Sequence, residues 1–269
     1  IQYELSFDRF HNDAGQILRI NNELQLSNGN YRYPTSTPAL PVALYDELPE
    51  VVDYTRLSGG GQQVIIEVET DLFREDDLFF AEENFFRFFN FNLIEGKRGD
   101  VLNAPNKAVL TESAALRYFG SRSVVGKILT VKGQNDINYE VTGLMEDPPK
   151  NSHIQFSMLF SLETISERNG QSIDNNWQGD GFYSYIKTSK GADIDKIEGK
   201  FTAFKTEHIN VERANLFNPS LVKMTDIHLR SNLRNEITSN GSIDFVYIFS
   251  AVGLFILVIA GINYMNLAT

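Results

Sequence analysis

The run FVYIFSAVGLFILVIAGI, Phe245 to Ile262, holds eighteen residues without a charge, and no Asp, Glu, Lys, Arg or His follows it before Thr269. An α-helix rises about 1.5 Å per residue, so about 20 apolar residues cross a hydrocarbon core roughly 30 Å thick. A helix in a water-soluble core keeps a polar stripe, whereas here Tyr247 and Ser250 are the only polar residues on the run. A transmembrane helix is therefore expected over 243–269. Gly253 and Gly261, with Ala251 and Ala260, permit close packing against other helices, although two glycines eight apart make no GxxxG pair.

The 269-residue chain carries ample apolar material for one large domain or two ordinary ones. Against 35 Asp and Glu stand 24 Lys and Arg, a formal charge of -11 that repels phosphate backbones, so nucleic acid is not an expected partner. The absence of cysteine excludes disulfides, thiolate metal sites and a Cys nucleophile together. The chain opens at Ile1 with neither Met nor a signal-peptide pattern, so it reads as a fragment of a longer protein.

Along the chain, YELSFDRF, GQILRINNELQL and QQVIIEVET read as strands or strand–helix units, the last with Val64, Ile66 and Val68 on one face. A Pro-started helix is expected near Val42 to Leu48, closed by Pro49. Gly59-Gly60-Gly61 fits a hairpin-like turn, and no helix signal follows it to make a phosphate site. In NFFRFFNF, Asn84 to Phe91, four Phe occupy adjacent helical faces, which predicts a core helix buried on more than one side. KAVLTESAALRYFG predicts a strand, then Thr111 as helix N-cap and Gly120 as its left-handed stop. KILTVKG and INYEVTGLME predict a hairpin around Gly133 to Asp136, with Ile137, Tyr139 and Val141 on one face. WQGDGFYSYIKTS reads as a strand. A helix from Asp193 follows, with Ile194, Ile197, Phe201 and Phe204 on one stripe, and LVKMTDIHL is strand-like.

No motif carries chemistry above a structural reading. In YFGSRSVVGKILTV five residues separate Gly120 from Gly126, and Ile128 follows Lys127 where a nucleotide loop needs a hydroxyl. His11, His153, His208 and His228 have no His partner at metal spacing, and GxSxG is absent. DNNWQGDG, Asp174 to Gly181, alternates oxygen donors like a calcium loop, but Tyr185 stands where the bidentate Glu is required, so it reads as a polar turn. Glu75-Asp76-Asp77 reads as a solvated acidic face. No catalytic, cofactor-binding or metal-ligating residue is assigned, and no cofactor is expected. A hydrolase with two unmarked carboxylates remains an open reading at this point.

YELSFDRFHNDAGQILRI, LIEGK, AVLTESAALRYFG, VVGKILTV, YEVTGLMEDPPKNSHIQF and the terminal segment ending NYMNLAT together resemble the extracytoplasmic domain of MacB/FtsX-type ABC transporter permeases. The resemblance covers nearly the whole chain in order, and DPPKNSHIQF with ESAALRYFG is its most specific part. It implies an α+β fold: a two-lobed periplasmic domain, with a porter-like α/β lobe and a smaller β-rich lobe, followed by a transmembrane helix. The expected divisions are 1–76 and 161–242 for the porter-like lobe, 77–160 for the inserted β-rich lobe and 243–269 for the membrane helix. It further implies a bacterial inner-membrane protein with residues 1–242 in the periplasm, an upstream membrane helix and a downstream basic coupling segment. No bond-making role is implied, so the chain is not expected to be an enzyme. The implied partners are a cytoplasmic ABC ATPase subunit, a second permease protomer or half, and a periplasmic adaptor or outer-membrane channel. The implied function is transmission of ATP-driven motion for export of a peptide, lipoprotein or drug. The alternative is a sensor or regulatory permease that controls a cell-wall hydrolase or an antimicrobial-peptide response.

Overall fold

Strand β1 (Ile17–Leu26) is buried at six consecutive positions, which requires cover on both of its faces. In the computed structural model, which describes residues 1–60, 63–209 and 211–268, that cover comes from two separate stretches of chain. The strands that follow are β2 (Gly29–Tyr33), β3 (Val51–Gly59), β4 (Val64–Val68), β5 (Asp71–Glu75), β6 (Leu78–Ala81), β7 (Leu93–Glu95) and β8 (Lys107–Thr111). Then come β9 (Ile128–Lys132), β10 (Ile137–Met145), β11 (Met158–Ser161), β12 (Phe182–Thr188) and β13 (Phe217–Lys223). They form one sheet in the order β13-β1-β12-β3-β6-β11-β8-β10-β9-β4-β5, with β2 on β1 and β7 on β10. Both ends of the chain thus supply one half of the sheet, and its middle supplies the other. The β4–β5 pair, early in sequence, lies beyond β9 in that second half.

Side chains alternate across a strand, so β1 sends Leu18 and Ile20 to one face and Ile17 and Arg19 to the other. The first face packs under α1 (Ala39–Glu47) through Leu40 and Leu44. It also meets α5 (Ile194–Gly199) and α6 (Phe201–His208) through Ile197, Phe201 and Phe204, the stripe expected from the sequence. Asp193 caps this stripe by accepting from Lys196 N, and the helix breaks at Gly199 and Lys200. The second face joins a Phe-rich cluster and α8 (Met224–Arg230) through Met224 and Ile227. The middle half has its own core, where Ala114 and Tyr118 of α3 (Glu112–Phe119) meet Leu129, Val141 and Phe160. Thr111 caps α3 by accepting from Ala114 N at 3.2 Å, and Gly120 ends it at φ 63, as expected. The hairpin of β9 and β10 is also as expected, with Tyr139 and Val141 buried.

Several elements differ from the sequence reading. The Phe-rich segment is helical only over α2 (Phe85–Phe88), after which Phe89 turns extended at φ -101 and ψ 150. A longer helix would scatter the rings around its circumference. Breaking after one turn returns Phe89 and Phe91 to the cluster of Phe85, and all three are at most 2% exposed. YELSFDRF is not a strand but a 3-10 turn at Glu4–Ser6 and an irregular segment in which Asp8 takes φ 58. LVKMTDIHL splits at Lys223 into strand and α8, because Met224, Ile227 and His228 are buried at helical spacing. Gly59 and Gly60 do not close a hairpin: β3 pairs with β12 and β6, while β4 pairs with β5 and β9. Gly61 of that run lies outside the described residues.

After α4 (Glu163–Asn169) and α7 (Val211–Leu216), the chain ends in α9 (Ile243–Ala268), 26 residues long, whose most apolar 18 residues have a mean hydropathy of 2.6 and are only 6% buried. At 1.5 Å per residue it is about 39 Å long, enough to cross a bilayer.

If the aromatic cluster is the central core, truncating it must hurt far more than removing a cap. Phe85→Ala is expected to lower unfolding free energy by about 3–5 kcal/mol, and Thr111→Val by about 1. Urea unfolding of the two variants measures both, and equal losses would contradict this placement of the core.

Candidate functional site

Arg19 is a charged residue in a buried strand, fully inside at 0% exposure. Its neighbour across the ladder is Tyr185 of β12, on the same face. Each nitrogen of the guanidinium has an acceptor: Nε donates to Asn21 Oδ1 at 2.9 Å, and the two terminal nitrogens donate to Glu236 at 2.6 and 2.9 Å and to Ser231 Oγ at 3.0 Å. Glu236 belongs to the connection between α8 and α9. A two-pronged guanidinium–carboxylate pair fixes orientation as well as distance. The strand therefore holds the segment that leads into the membrane helix.

The same connection is tied down along its length. Tyr183 donates its hydroxyl to Asn235 O at 2.7 Å, and Thr238 donates to His153 O at 3.3 Å. Asn240 bridges the Ile227 and Ser231 carbonyls, and Gly241 N donates to His228 O at 2.9 Å. A side chain at Gly241 would crowd this contact: a Cβ would sit 2.8 Å from Glu4 Oε2 and 3.0 Å from His228 Nε2, so Glu4 would have to shift off His228.

The opening segment of the chain converges on this point. Glu4 Oε2 lies 2.8 Å from His228 Nε2, and the Phe7 ring stacks on His228 at 3.3 Å and 3°. Asp8, held in its left-handed conformation, accepts from His153 N at 3.0 Å and sets its other oxygen 2.9 Å from His153 Nδ1. His153 Nε2 in turn meets the Tyr185 hydroxyl at 2.8 Å. Asp8, His153 and Tyr185 thus join the chain's first residues, the β10–β11 connection and β12 in one buried line. Burial alone would raise the Asp8 carboxyl, but the charge and hydrogen bonds of His153 outweigh it and hold the group below its ordinary value. Burial raises the Tyr185 hydroxyl, so it stays protonated and can donate. His11 accepts from Asn90 N through Nδ1 at 3.0 Å among Phe89 and Phe91, and burial pushes its pKa down to about 4.

The remaining sequence candidates are local structure. His208 stacks on Trp177 at 4.5 Å beside Glu47. Asp174 of DNNWQGDG reaches the buried Arg56 at 2.6 Å, opposite Glu82 at 2.5 Å, while Asn176 Oδ1 accepts from the amides of Gln178 and Gly179. It is a polar turn. Glu75 uses one oxygen for the Asp76 and Asp77 amides and the other for Arg117 and Tyr118. In the sequence His153 and His228 read only as isolated histidines, and no motif singles out Arg19 or Asp8. One signal was available: an Arg between apolar strand residues demands a buried acid.

Solved structures share this fold. A domain described as belonging to a permease protein of Porphyromonas gingivalis superposes with a TM-score of 0.64 at 23% identity, covering 79% of this chain and 92% of that one. The periplasmic region of MacB from Actinobacillus actinomycetemcomitans gives 0.54 at 15% identity over 80% and 91%. The extracellular domain of the ABC-type transporter YknZ from Gram-positive bacteria gives 0.52 at 12% over 77% and 99%. The chain belongs to the MacB-like periplasmic core domain family, which matches residues 2–204. Comparison with curated proteins gave no match. The folded body is therefore periplasmic, α9 lies in the inner membrane, and the protein is a permease component of a transporter class that works with ATPase partners.

Two outcomes test this junction. Glu236→Ala leaves a buried guanidinium unpaired and is expected to destabilise the body by about 3–5 kcal/mol, whereas Arg19→Met/Glu236→Leu removes both charges and stays within about 1. Chemical unfolding of both variants reads the difference. For His11 the sign follows from its lowered pKa: below about pH 6.5 the unfolded chain binds a proton that the folded chain refuses until about pH 4. Stability should fall by about 2 kcal/mol from pH 7 to pH 5 through this group. His11→Asn keeps an acceptor for Asn90 and should flatten that part of the pH dependence, measured by urea midpoints.

Proposed function

We propose that the domain relays ATP-driven motion of the permease across the membrane for export of a peptide, lipoprotein or drug. The observation that carries this reading is the junction itself. The connection into α9 is fastened to β1 and β12 by Arg19 and Tyr183, to the β10–β11 segment by His153, and to the chain's opening residues through Gly241, His228 and Glu4. A displacement of the helix is thereby passed to both halves of the sheet rather than absorbed in a loose linker. Such transmission needs an element that moves as a unit, which dense polar fastening on a packed face provides.

In this proposal a cytoplasmic ABC ATPase drives the motion, a second permease protomer or half completes the moving pair, and a periplasmic adaptor or outer-membrane channel receives the cargo. The body works as two lobes, the first and third stretches of the chain forming one and the middle stretch the other. Pairing of β4 with β9 supports beginning the middle lobe near Val64 rather than at residue 77. The lobes meet along the β3–β6 ladder at Leu57 to Gly59. No bond-making step is assigned to the domain.

Inserting a flexible Gly-Ser-Gly-Ser segment between Ser242 and Ile243 separates helix from body while leaving the contacts of residues 235–241 intact. In the full permease with its ATPase, ATP hydrolysis is expected to persist and export to fall at least about tenfold, because the coupling is carried by continuity of the rod. Export that survives the insertion would exclude mechanical relay through α9.

A further inference from the structure

Gly241 lies one residue before Ser242, whose carbonyl accepts the first hydrogen bond of the α9 ladder from Val246 N at 3.4 Å. The charge-free run begins at Phe245, so three helical steps and one free residue put Gly241 no more than about 8 Å outside it. The headgroup layer beyond the hydrocarbon core is of similar thickness, roughly 5–7 Å. What touches Gly241 is therefore close to lipid headgroups. Glu4 does so: its Oε2 is 2.8 Å from the place a Gly241 Cβ would take, and 2.8 Å from His228 Nε2. While Glu4 turns inward, its neighbours Ile1, Tyr3 and Leu5 stay 54%, 53% and 42% exposed.

Two cations sit beside these apolar side chains. Leu5 N closes the opening turn on Ile1 O at 3.1 Å, and Arg9 folds back on it, its Nε donating to Leu5 O at 2.7 Å. The Tyr3 hydroxyl donates to Lys150 O at 2.9 Å, which brings the β10–β11 connection alongside. Neither Arg9 nor Lys150 has an ion-pair partner among the described residues, since the nearby acids Glu4 and Asp8 face His228 and His153 instead. On a protein of formal charge -11, unpaired cations next to exposed apolar side chains are the exception. That combination suits a bilayer surface, where apolar and aromatic side chains enter the headgroup layer and basic heads meet phosphates. An isologous contact centred on this patch would instead bring like charges together.

We propose that the opening turn and the Lys150 loop form a second membrane contact beside α9. Ile1, Tyr3 and Leu5 enter the headgroup layer of the bilayer that α9 crosses, and Arg9 and Lys150 bind the phosphates of its anionic lipids. The inference rests on α9 lying in the membrane and goes beyond the relay, on which it does not depend. Because Glu4 is fastened to the same His228 that meets Gly241, the contact gives the body a second foothold and keeps it from pivoting about the helix alone.

The chain has no cysteine, so Gln2→Cys carries a single spin label within the patch and Leu72→Cys carries a reference label on β5, where the side chain is 64% exposed. The full chain is placed in nanodiscs holding one chain each, and collision of the label with a water-soluble nickel chelate is read by power saturation. In phosphatidylcholine with about one-third phosphatidylglycerol, the Gln2 label is expected to collide at least about threefold less often than the Leu72 label. In phosphatidylcholine alone that protection should shrink at least about twofold, because each basic side chain near an anionic surface favours contact by about fivefold. Arg9→Gln/Lys150→Gln should abolish the difference between the two lipids, and Ile1→Ser/Leu5→Ser should open the Gln2 label to the level of Leu72. All four side chains are exposed, so these variants should keep their thermal midpoints, which circular dichroism checks. A Gln2 label as open as the Leu72 label in anionic discs overturns the proposal. So does protection that is the same in both lipids or that survives the serine substitutions, and so does protection found only in discs loaded with two chains, which marks a protein contact. None of these outcomes bears on the relay, which the insertion variant tests through export.

Discussion

The wholly buried guanidinium of Arg19 sets the terms for the rest of the molecule. A charge at that depth is tolerated only when it is paired and hydrogen-bonded, and the acceptors come from three places: its own strand, Ser231 and Glu236. Because the last two lie just beyond α8, the chain cannot leave the sheet freely on its way to the membrane. It must first be drawn across the face of β1 and β12. The position of α9 relative to the body follows from that requirement.

The same face explains why the chain's first residues avoid regular structure. A strand there would have paired at an edge and presented alternating side chains. Instead Glu4, Phe7 and Asp8 each reach a different partner: His228 for the first two and His153 for the third. Asp8 accepts a conformation uncommon for a residue with a side chain, and His153 compensates by holding its carboxylate charged. The opening segment and the connection to α9 both end on His228, with Gly241 admitting them because it has no Cβ. The opposite face carries α1, α5 and α6 and has an ordinary apolar core. One side of this half-sheet therefore serves stability and the other holds the two chain ends together.

Local signals made much of this readable in the sequence. Thr111 and Gly120 bound α3 through cap chemistry, Tyr139 and Val141 alternate because a strand has period two, and the Asp193 stripe repeats at helical spacing. The uncharged run gave the membrane helix by length alone, and its residues are exposed along nearly the whole of α9, as a lipid-facing rod requires. Each of these depends on neighbours within a few positions, and so survives without knowledge of the fold. The family resemblance rests on the same kind of information, spread over many short stretches.

What only the tertiary structure decided are the pairings between distant positions. Arg19 lies 217 residues from Glu236, Asp8 145 from His153, and Glu4 224 from His228. No local period encodes such a pair, because its free energy arises only after the sheet has formed and water has left. The one-turn length of the Phe-rich helix has the same origin: its five rings are buried together by breaking the helix after Phe88, a break that the surrounding core imposes. Likewise β4 and β5 joined the far half of the sheet because the open edge of β9 was there to pair with, a fact about space and not about sequence. Sequence by itself determined α3 with its caps, the β9–β10 hairpin, the helical stripe from Asp193 and the membrane rod, because each rests on neighbours close in the chain, and the fold determined which elements are bound to one another.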